Sequence, residues 1–166
     1  MGRKSIKENK NIYQQAREEI DLTRDQAETL LEYISSDRIE KIESNKSAPH
    51  PDEVLRMAEC YKKPELSNYY CSHECPIGKK YIPEINDKAL SQITLEILDG
   101  LNNLEKIKNR FVEISVDGKI NGDEKKDFIK IKEALNNLKA TIDSLSLWVE
   151  KQDIKEKWDE LFVHLI

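Results

Sequence analysis

Three cysteines and one histidine are the residues of this chain whose types and spacing could do chemistry. Cys71, His73 and Cys75 fall within one short segment, and Cys60 precedes them. Two thiolates and an imidazole are ligands that Zn²⁺ takes in tetrahedral geometry, and Cys60 could supply a fourth. The spacing differs from the paired Cys-x-x-Cys and His-x-x-x-His knuckles of zinc fingers. Zinc bound by Cys71, His73 and Cys75 is therefore one prediction for this segment.

Two other interpretations of the cysteines stay open. In a helical segment Cys71 and Cys75 would lie one turn apart and could form a dithiol redox pair. Reduced cysteine also behaves as a compact apolar group, so the three thiols could simply pack at a domain junction. Apart from the Cys71, His73 and Cys75 group, none of the three histidines (His50, His73 and His164) has a Ser or Cys nucleophile arranged near it, and the sequence has no phosphate-binding glycine loop. We expect a protein that is not an enzyme.

The composition favours helices and places most of the acidity in the second half. Charged residues make up 36% of the 166 residues, and 5 Gly and 5 Pro are too few for the turns of a β-protein. No apolar run approaches the roughly 18–20 residues of a membrane span, so we expect a cytoplasmic protein without a membrane partner. Residues 1–80 hold 14 Lys+Arg against 15 Asp+Glu, whereas residues 81–166 hold 13 against 17.

Local signals predict four short helices in the first 61 residues. Thr23 is the expected N-cap of the second helix, and Ser35 or Ser36 that of the third. Asn45 can end the third helix in the left-handed conformation, and Pro51 suits the first turn of the fourth. The side chains expected to face inward from helices two to four are Ala27, Leu30, Leu31, Ile34, Ile39, Ile42, Val54, Leu55, Ala58 and Tyr61.

The segment from Arg17 to Ala58 resembles the Xre-type, phage-repressor-like helix-turn-helix family of transcriptional regulators. The residues that carry the resemblance are Arg17, Thr23-Arg24-Asp25-Gln26-Ala27, Ile39-Glu40-Lys41-Ile42-Glu43-Ser44-Asn45-Lys46, Pro49 and Ala58. Residues 68–78 resemble a segment of such regulators from Firmicutes and their mobile elements. The resemblance implies a lambda-repressor-like helix-turn-helix domain over residues 1–66, followed by a cysteine-containing junction over residues 67–85.

The same resemblance implies roles for individual residues. The family's Arg and Glu that match Arg17 and Glu43 form a structural ion pair inside the domain. The third helix, from about Ser36 to Ser44, would be the recognition helix, with Arg38 and Lys41 as its base or phosphate contacts. The positions expected to contact double-stranded DNA are Arg24, Ser36, Asp37, Arg38, Lys41, Asn45 and Lys46.

Residues 86–166 predict an antiparallel helical hairpin. Two apolar series follow the alternating three–four spacing of a coiled coil: Leu90, Ile93, Ile97, Leu104, Ile107, Phe111 and Ile114, then Phe128, Ile131, Leu135, Leu138, Ile142, Leu145 and Val149. Gly100 in the first series favours close helix approach, and Asp123 is the expected cap of the second helix. A short third helix is expected around Ile154, Trp158, Leu161 and Leu165. Such a hairpin could dimerise the chain, or receive a protein or ligand signal.

Together these features predict an all-α, sequence-specific DNA-binding transcriptional regulator, a repressor that acts as a homodimer. An alternative is a helix-turn-helix domain that binds another protein instead of DNA. A further alternative is a version of the regulator that responds to a metal or to redox state. The charge map separates the first two. A continuous positive face around Arg24, Arg38, Lys41 and Lys46 favours DNA, whereas dominance of the outer surface by Glu28, Asp37 and Glu40 favours a protein partner.

Overall fold

All regular secondary structure in the described part of the chain is helical, which confirms the predicted all-α fold. The computed structural model describes the backbone of residues 10–163 and the side chains of residues 10–154. The elements in chain order are α1 (Ile12–Glu19), α2 (Arg24–Leu31), α3 (Ser36–Glu43), α4 (Pro51–Cys60), α5 (Glu65–Tyr69), a π-helical turn (Tyr70–Glu74), α6 (Gly78–Tyr81), α7 (Leu90–Ser115) and α8 (Lys125–Val163). None of these described helices has the length and apolar character that a membrane crossing requires.

Polar side chains fix the ends of the first helices, as the local signals predict. Thr23 and Gln26 form a reciprocal capping box at the start of α2, in which each side chain accepts a backbone N–H from the other residue. Ser35, rather than Ser36, is the N-cap of α3. Asn45 takes a left-handed backbone conformation with φ of 58° just after α3, which turns the chain toward α4.

Helices α1 to α5 enclose one apolar core. Its buried members are Tyr13, Ala16, Ala27, Leu31, Ile34, Ile39, Ile42, Val54, Met57, Ala58, Tyr61 and Leu66. Leu30 and Leu55, which were expected to face inward, are instead 46% and 57% exposed. The inward-facing side of a short helix is narrow. On α2 this side is filled by Ala27 and Leu31, which lie one turn apart, so the Leu30 side chain lies beside the core and not in it.

The residues after α4 pack against the core formed by α1 to α4. Leu66 of α5 is completely buried in that core, and Tyr70 packs against it from the π-helical turn. The chain divides into two compact units. The first takes in the N-terminal helices as far as Glu84 together with residues from Lys151 onward, and the second is Ile85–Glu150. Residues 67–84 therefore belong to the same compact unit as α1 to α5.

In the second unit, α7 and the first part of α8 lie antiparallel. A Cβ atom on Gly100 would lie 2.9 Å from Leu138 Cδ1, so the glycine does permit the close approach that its place in the apolar series indicated. Nearer the turn, Arg110 Nε lies 2.8 Å from Asp127 Oδ2. From the first contact to the second, the residue number rises along α7 and falls along α8, as it must in an antiparallel pair. The two contacts therefore fix the register of the hairpin.

Two details of the hairpin differ from expectation. In the turn before α8 the reciprocal polar contact comes from Asn121 and not from Asp123, the expected cap: the Asn121 side-chain oxygen accepts the N–H of Glu124 at 3.2 Å, and the Glu124 carboxylate accepts the N–H of Asn121 at 3.1 Å. The expected separate terminal helix is also wrong, because α8 runs without a break from Lys125 to Val163. No Gly or Pro interrupts residues 125–163, so nothing in the backbone ends the helix. Leu165, assigned to that helix, lies outside the described residues.

The close packing of Gly78 generates a stability prediction. A Cβ atom at Gly78 would lie 2.1 Å from the Cys71 carbonyl oxygen and 2.7 Å from its carbonyl carbon, and these backbone atoms cannot rotate away. We expect Gly78→Ala to lower the free energy of unfolding by about 1–3 kcal/mol, as overpacking does. Gly122→Ala is the matched control, since a Cβ there meets nothing within 4 Å. Urea unfolding of both variants checks this, and equal midpoints would contradict it.

Candidate functional site

A buried ion pair joins α1 to the end of α3. Arg17 Nε donates to Glu43 Oε1 at 2.6 Å and a second guanidinium nitrogen donates to Oε2 at 2.9 Å. The two side chains are 6% and 1% exposed. Arg17 also donates to the backbone carbonyl of Leu22, between α1 and α2. Burial opposes the charge of Arg17, but the hydrogen bonds and charge of Glu43 outweigh it and raise the pKa of Arg17.

A second arginine completes the coordination of Glu43. Arg24, at the start of α2, donates through Nε to Glu43 Oε2 at 2.8 Å, and its side chain is 36% exposed. One carboxylate of α3 therefore accepts charged hydrogen bonds from both α1 and α2. The arrangement satisfies the buried charge of Glu43 and fixes the rotation of α3 about its own axis.

Arg38 is held within the domain by a second bidentate pair. Its Nε and one terminal nitrogen donate to the two carboxylate oxygens of Glu53 at 2.7 and 2.6 Å, which joins α3 to α4. The remaining donors reach the Ser47 hydroxyl at 2.6 Å and the Ala48 carbonyl at 2.9 Å. The guanidinium fork predicted to contact bases is thus already occupied by groups of its own domain.

One side of α3, the predicted recognition helix, faces solvent. We call this side the outer face of α3, and it is formed by Ser36, Asp37, Glu40 and Lys41. Ser36 donates to Asp25 Oδ1 at 2.8 Å. Asp37 and Lys41 are exposed, and Lys41 forms no ion pair with any residue that the structure describes.

The predicted contacts beyond α3 are also engaged within the domain. Lys46 lies 2.9 Å from Glu40 in an exposed pair. Asn45 accepts a hydrogen bond from the Asn11 amide at 3.0 Å, and the same amide nitrogen donates to the Ile42 carbonyl at 2.7 Å. Asn45 therefore also helps to hold the end of α3 against the start of α1.

Carboxylates outnumber cations around this outer face. Residues 23–47 contain 4 Lys+Arg and 6 Asp+Glu. Both arginines among them pair with buried glutamates, whereas Asp25, Glu28 and Asp37 are exposed. The surface is not the continuous positive face that would favour DNA on electrostatic grounds, and its charge distribution favours a protein partner.

Side chains that sequence reasoning missed attach the cysteine segment to α1. The Tyr13 hydroxyl of α1 donates to Glu74 Oε2 at 3.0 Å, and the ring of Tyr69 meets Tyr13 edge-on at 6.3 Å. Burial, with the neighbouring charge of Glu74, raises the pKa of Tyr13. His73 stacks on Tyr69 at 4.6 Å, and its Nε2 lies 3.6 Å from Glu84.

Two of the three thiols form hydrogen bonds with backbone groups. The Cys60 thiol donates to the Leu30 carbonyl at 3.5 Å, and burial raises its pKa. Cys75 Sγ accepts the Gly78 N–H at 3.4 Å. Among the described residues no three His, Cys, Asp or Glu side chains form a group that could hold a metal ion. The zinc site at Cys71, His73 and Cys75 stays a prediction.

The Glu43 network generates the second stability prediction. Arg17→Met keeps the length of the side chain but removes its charge, and leaves Glu43 buried with only the partly exposed Arg24. We expect a loss of about 3–5 kcal/mol in the free energy of unfolding, as for a broken buried pair. Lys46→Met is the control, because its pair with Glu40 is exposed and is worth about 1 kcal/mol or less. Denaturant unfolding at pH 7 measures both, and similar losses would refute the network's role.

The second pair predicts a pH dependence. Burial works against ionised Glu53, but hydrogen bonds from Arg38 and from the His50 N–H outweigh burial and lower the pKa of Glu53. A lowered folded-state pKa stabilises the fold above the unfolded-state pKa of about 4.3, and the stabilisation is lost as the pH falls through the folded-state pKa. We expect Glu53→Gln to be less stable than wild type at pH 7. The difference in stability between the two proteins should become smaller below about pH 4.3. Thermal unfolding between neutral and acid pH checks this, and a constant gap would contradict it.

Comparison with known proteins supplies no relative that could indicate a function. No family model matches the chain, and searches of curated proteins and of solved structures give no match. The function is therefore argued from the residues and contacts described above.

Proposed function

We propose that this chain is a sequence-specific DNA-binding transcriptional regulator, a repressor that acts as a homodimer and binds DNA through α2 and α3. The observation that carries the proposal is the Glu43 network. Its two arginines lock α3 against α1 and α2. The outer face of α3 is left toward solvent, as insertion of a recognition helix into a major groove requires. The resemblance of Arg17 to Ala58 to Xre-type regulators supports the same conclusion.

The contacts assigned to DNA are revised by the geometry. Lys41 is the cation best placed for phosphate or base contact, because no described residue pairs with it. Lys46 can join it by releasing the exposed Glu40. Ser36 and Asp37 are left for base edges, and a carboxylate can accept from the cytosine amino group. Arg38 and Arg24 act as positioning residues in this proposal.

So few cations imply that the attraction to DNA in general is weak and falls as the salt concentration rises. If each head neutralises about two phosphates, a dimer neutralises about four, and the slope of log K against log salt is about −4. Exposed carboxylates next to α3 lower non-specific affinity further through repulsion. Binding would therefore depend on matched base contacts and on two heads acting together.

The acidic surroundings of α3 favour a second candidate, a helix-turn-helix domain that binds a protein with a basic surface. Asp25, Glu28 and Asp37 are exposed, so they are available to meet lysines or arginines of a partner. Electrostatic complementarity of this kind chiefly raises the association rate and selects against wrong partners.

Selection from a random duplex library with the full chain separates the two candidates. The regulator predicts enrichment of a two-fold symmetric sequence. Lys41→Ala should weaken binding to that sequence at low salt and reduce the salt slope by about one per head, as loss of a phosphate contact does. Fluorescence anisotropy at several salt concentrations measures both effects.

Lys106→Ala is the matched control, since Lys106 is an exposed lysine of α7 without an ion pair among the described residues. It should leave affinity and slope unchanged. Failure to enrich any sequence would overturn the DNA proposal and leave the protein-binding candidate.

A further inference from the structure

Two of the three cysteines lie at the two ends of the π-helical turn. Cys71 is the second residue of that turn, and Cys75 directly follows its last residue. The turn is closed by the Cys75 N–H, which donates to the Tyr70 carbonyl at 2.9 Å. Because this hydrogen bond joins the two ends of the turn, it holds the Cα atoms of Cys71 and Cys75 about 5–6 Å apart. Cysteines joined by a disulfide usually have Cα atoms about 4.4–6.8 Å apart.

Both cysteine side chains leave the turn on the same side. A π-helical turn has about 4.4 residues, so positions four residues apart are nearly aligned. Cys75 ends the turn with a ψ of 122°, but it keeps a helical φ of −72°, and φ sets the direction of its Cβ atom. Tyr69 and His73 are also four residues apart, and their rings stack with centroids 4.6 Å from each other. The turn therefore brings side chains at this spacing into contact.

His73 lies on the other side of the same turn. It is two residues away from each cysteine, which is about half of a π-helical turn. Its ring stacks on Tyr69, and its Nδ1 lies 2.9 Å from the Ser72 hydroxyl. The imidazole that a zinc site would need thus points away from the two thiols, and the geometry favours a pair of thiols over a metal site.

The apolar core accounts for Cys60 but not for this pair. Cys60 packs against the core of α1 to α5. Cys71 and Cys75 are partly exposed, and neither is among the described residues that form that core or pack against it. A small oxidant dissolved in water can therefore reach both thiols.

Gly78 contacts both cysteines. Its N–H donates to Cys75 Sγ at 3.4 Å, which fixes the direction of that sulfur. A Cβ atom on Gly78 would lie 2.9 Å from the Cys71 Cα, so the glycine also packs directly on the other cysteine. The two ends of the turn are thus held together by Gly78 as well as by the hydrogen bond that closes the turn.

We propose that Cys71 and Cys75 form a reversible disulfide by exchange with a low-molecular-weight disulfide. The thiolate of one cysteine attacks a sulfur of the small disulfide and expels one small thiolate, which leaves a mixed disulfide on the protein. The other cysteine loses its proton, attacks the protein sulfur of the mixed disulfide and expels the second small thiolate. Two thiols of the chain are oxidised, and one small disulfide is reduced to two thiols.

The disulfide closes a segment that is attached to α1. Glu74 lies between the two cysteines and accepts the hydrogen bond of the Tyr13 hydroxyl, and Tyr69 meets the ring of Tyr13. Because the folded chain already holds the two cysteines together, the disulfide forms more readily in it than in the unfolded chain. By linkage, the disulfide then stabilises the fold by the same factor. This inference does not depend on what α3 binds.

Equilibration of the full chain with mixtures of reduced and oxidised glutathione tests the inference, in buffer and in urea that unfolds the chain. Free thiols are alkylated and the chain is digested with trypsin, so both cysteines fall in one peptide that ends at Lys79. Mass spectrometry then counts the peptide that carries no alkyl group. We expect the equilibrium constant for the disulfide to be at least about 10-fold larger in the folded chain than in the unfolded chain.

Cys60→Ser is the matched control, since it removes a thiol outside the turn and should leave the equilibrium constant unchanged. Cys75→Ser removes the partner of Cys71, so this variant should keep glutathione as a mixed disulfide. Circular dichroism of both variants checks that the helices are preserved.

Three outcomes would overturn the inference. The first is an equal equilibrium constant in the folded and unfolded chains, and the second is a mixed disulfide that persists in the folded wild type. The third is one zinc ion per chain in reduced protein that is lost in Cys71→Ser, because the metal would then occupy the thiolates. None of these measurements uses DNA. A disulfide that forms as expected in a chain that enriches no DNA sequence would support this inference and refute the DNA-binding proposal.

Discussion

The N-terminal fold depends on one buried carboxylate. Glu43 is almost fully enclosed, and an unpaired charge in that position would strongly destabilise the folded state. Two arginines, Arg17 from α1 and Arg24 from α2, supply the charged hydrogen bonds that make its burial tolerable. Since the three residues come from three helices, satisfying Glu43 also fixes how those helices are placed. Apolar packing alone allows small rotations of α3, whereas a bidentate pair at its last turn does not.

The same solution recurs one helix later and changes the protein's surface. Arg38 is tied to Glu53 by two hydrogen bonds, so α4 is held to α3 as Arg17 holds α1. Each of these pairs takes a cation away from contact with a partner, while exposed acids such as Asp37 keep their charge. The two ion pairs make the scaffold rigid. They also leave few cations on the outer face of α3, so that face attracts phosphate only weakly. If the domain binds DNA, affinity must come from base contacts and from joining two heads.

Sequence patterns predicted the local features of this fold well, whereas pairs of distant residues follow from no local pattern; the Arg17–Glu43 pair, 26 residues apart, came from the family resemblance alone. The capping box at Thr23 and the left-handed Asn45 follow from interactions within a few residues, so the sequence shows them directly. Arg38 was assigned to DNA because helical periodicity marks it as outward. Its partner Glu53 lies fifteen residues away, and no local rule connects them. The only available signal was the position of Glu53 in the first turn of α4, where an acid already suits the helix N-terminus.

The two units differ in how completely they bury their own apolar residues, and this difference bears on how the protein works. The N-terminal unit encloses side chains such as Leu31, Ile39 and Met57 entirely within its own core. The hairpin leaves Leu101 and Ile142 about half exposed, although their spacing is regular. A pair of helices can bury only the side of each that faces the other, so apolar side chains beside that seam stay exposed. Apolar burial within one chain therefore stabilises the N-terminal helices more, residue for residue, than it stabilises the hairpin.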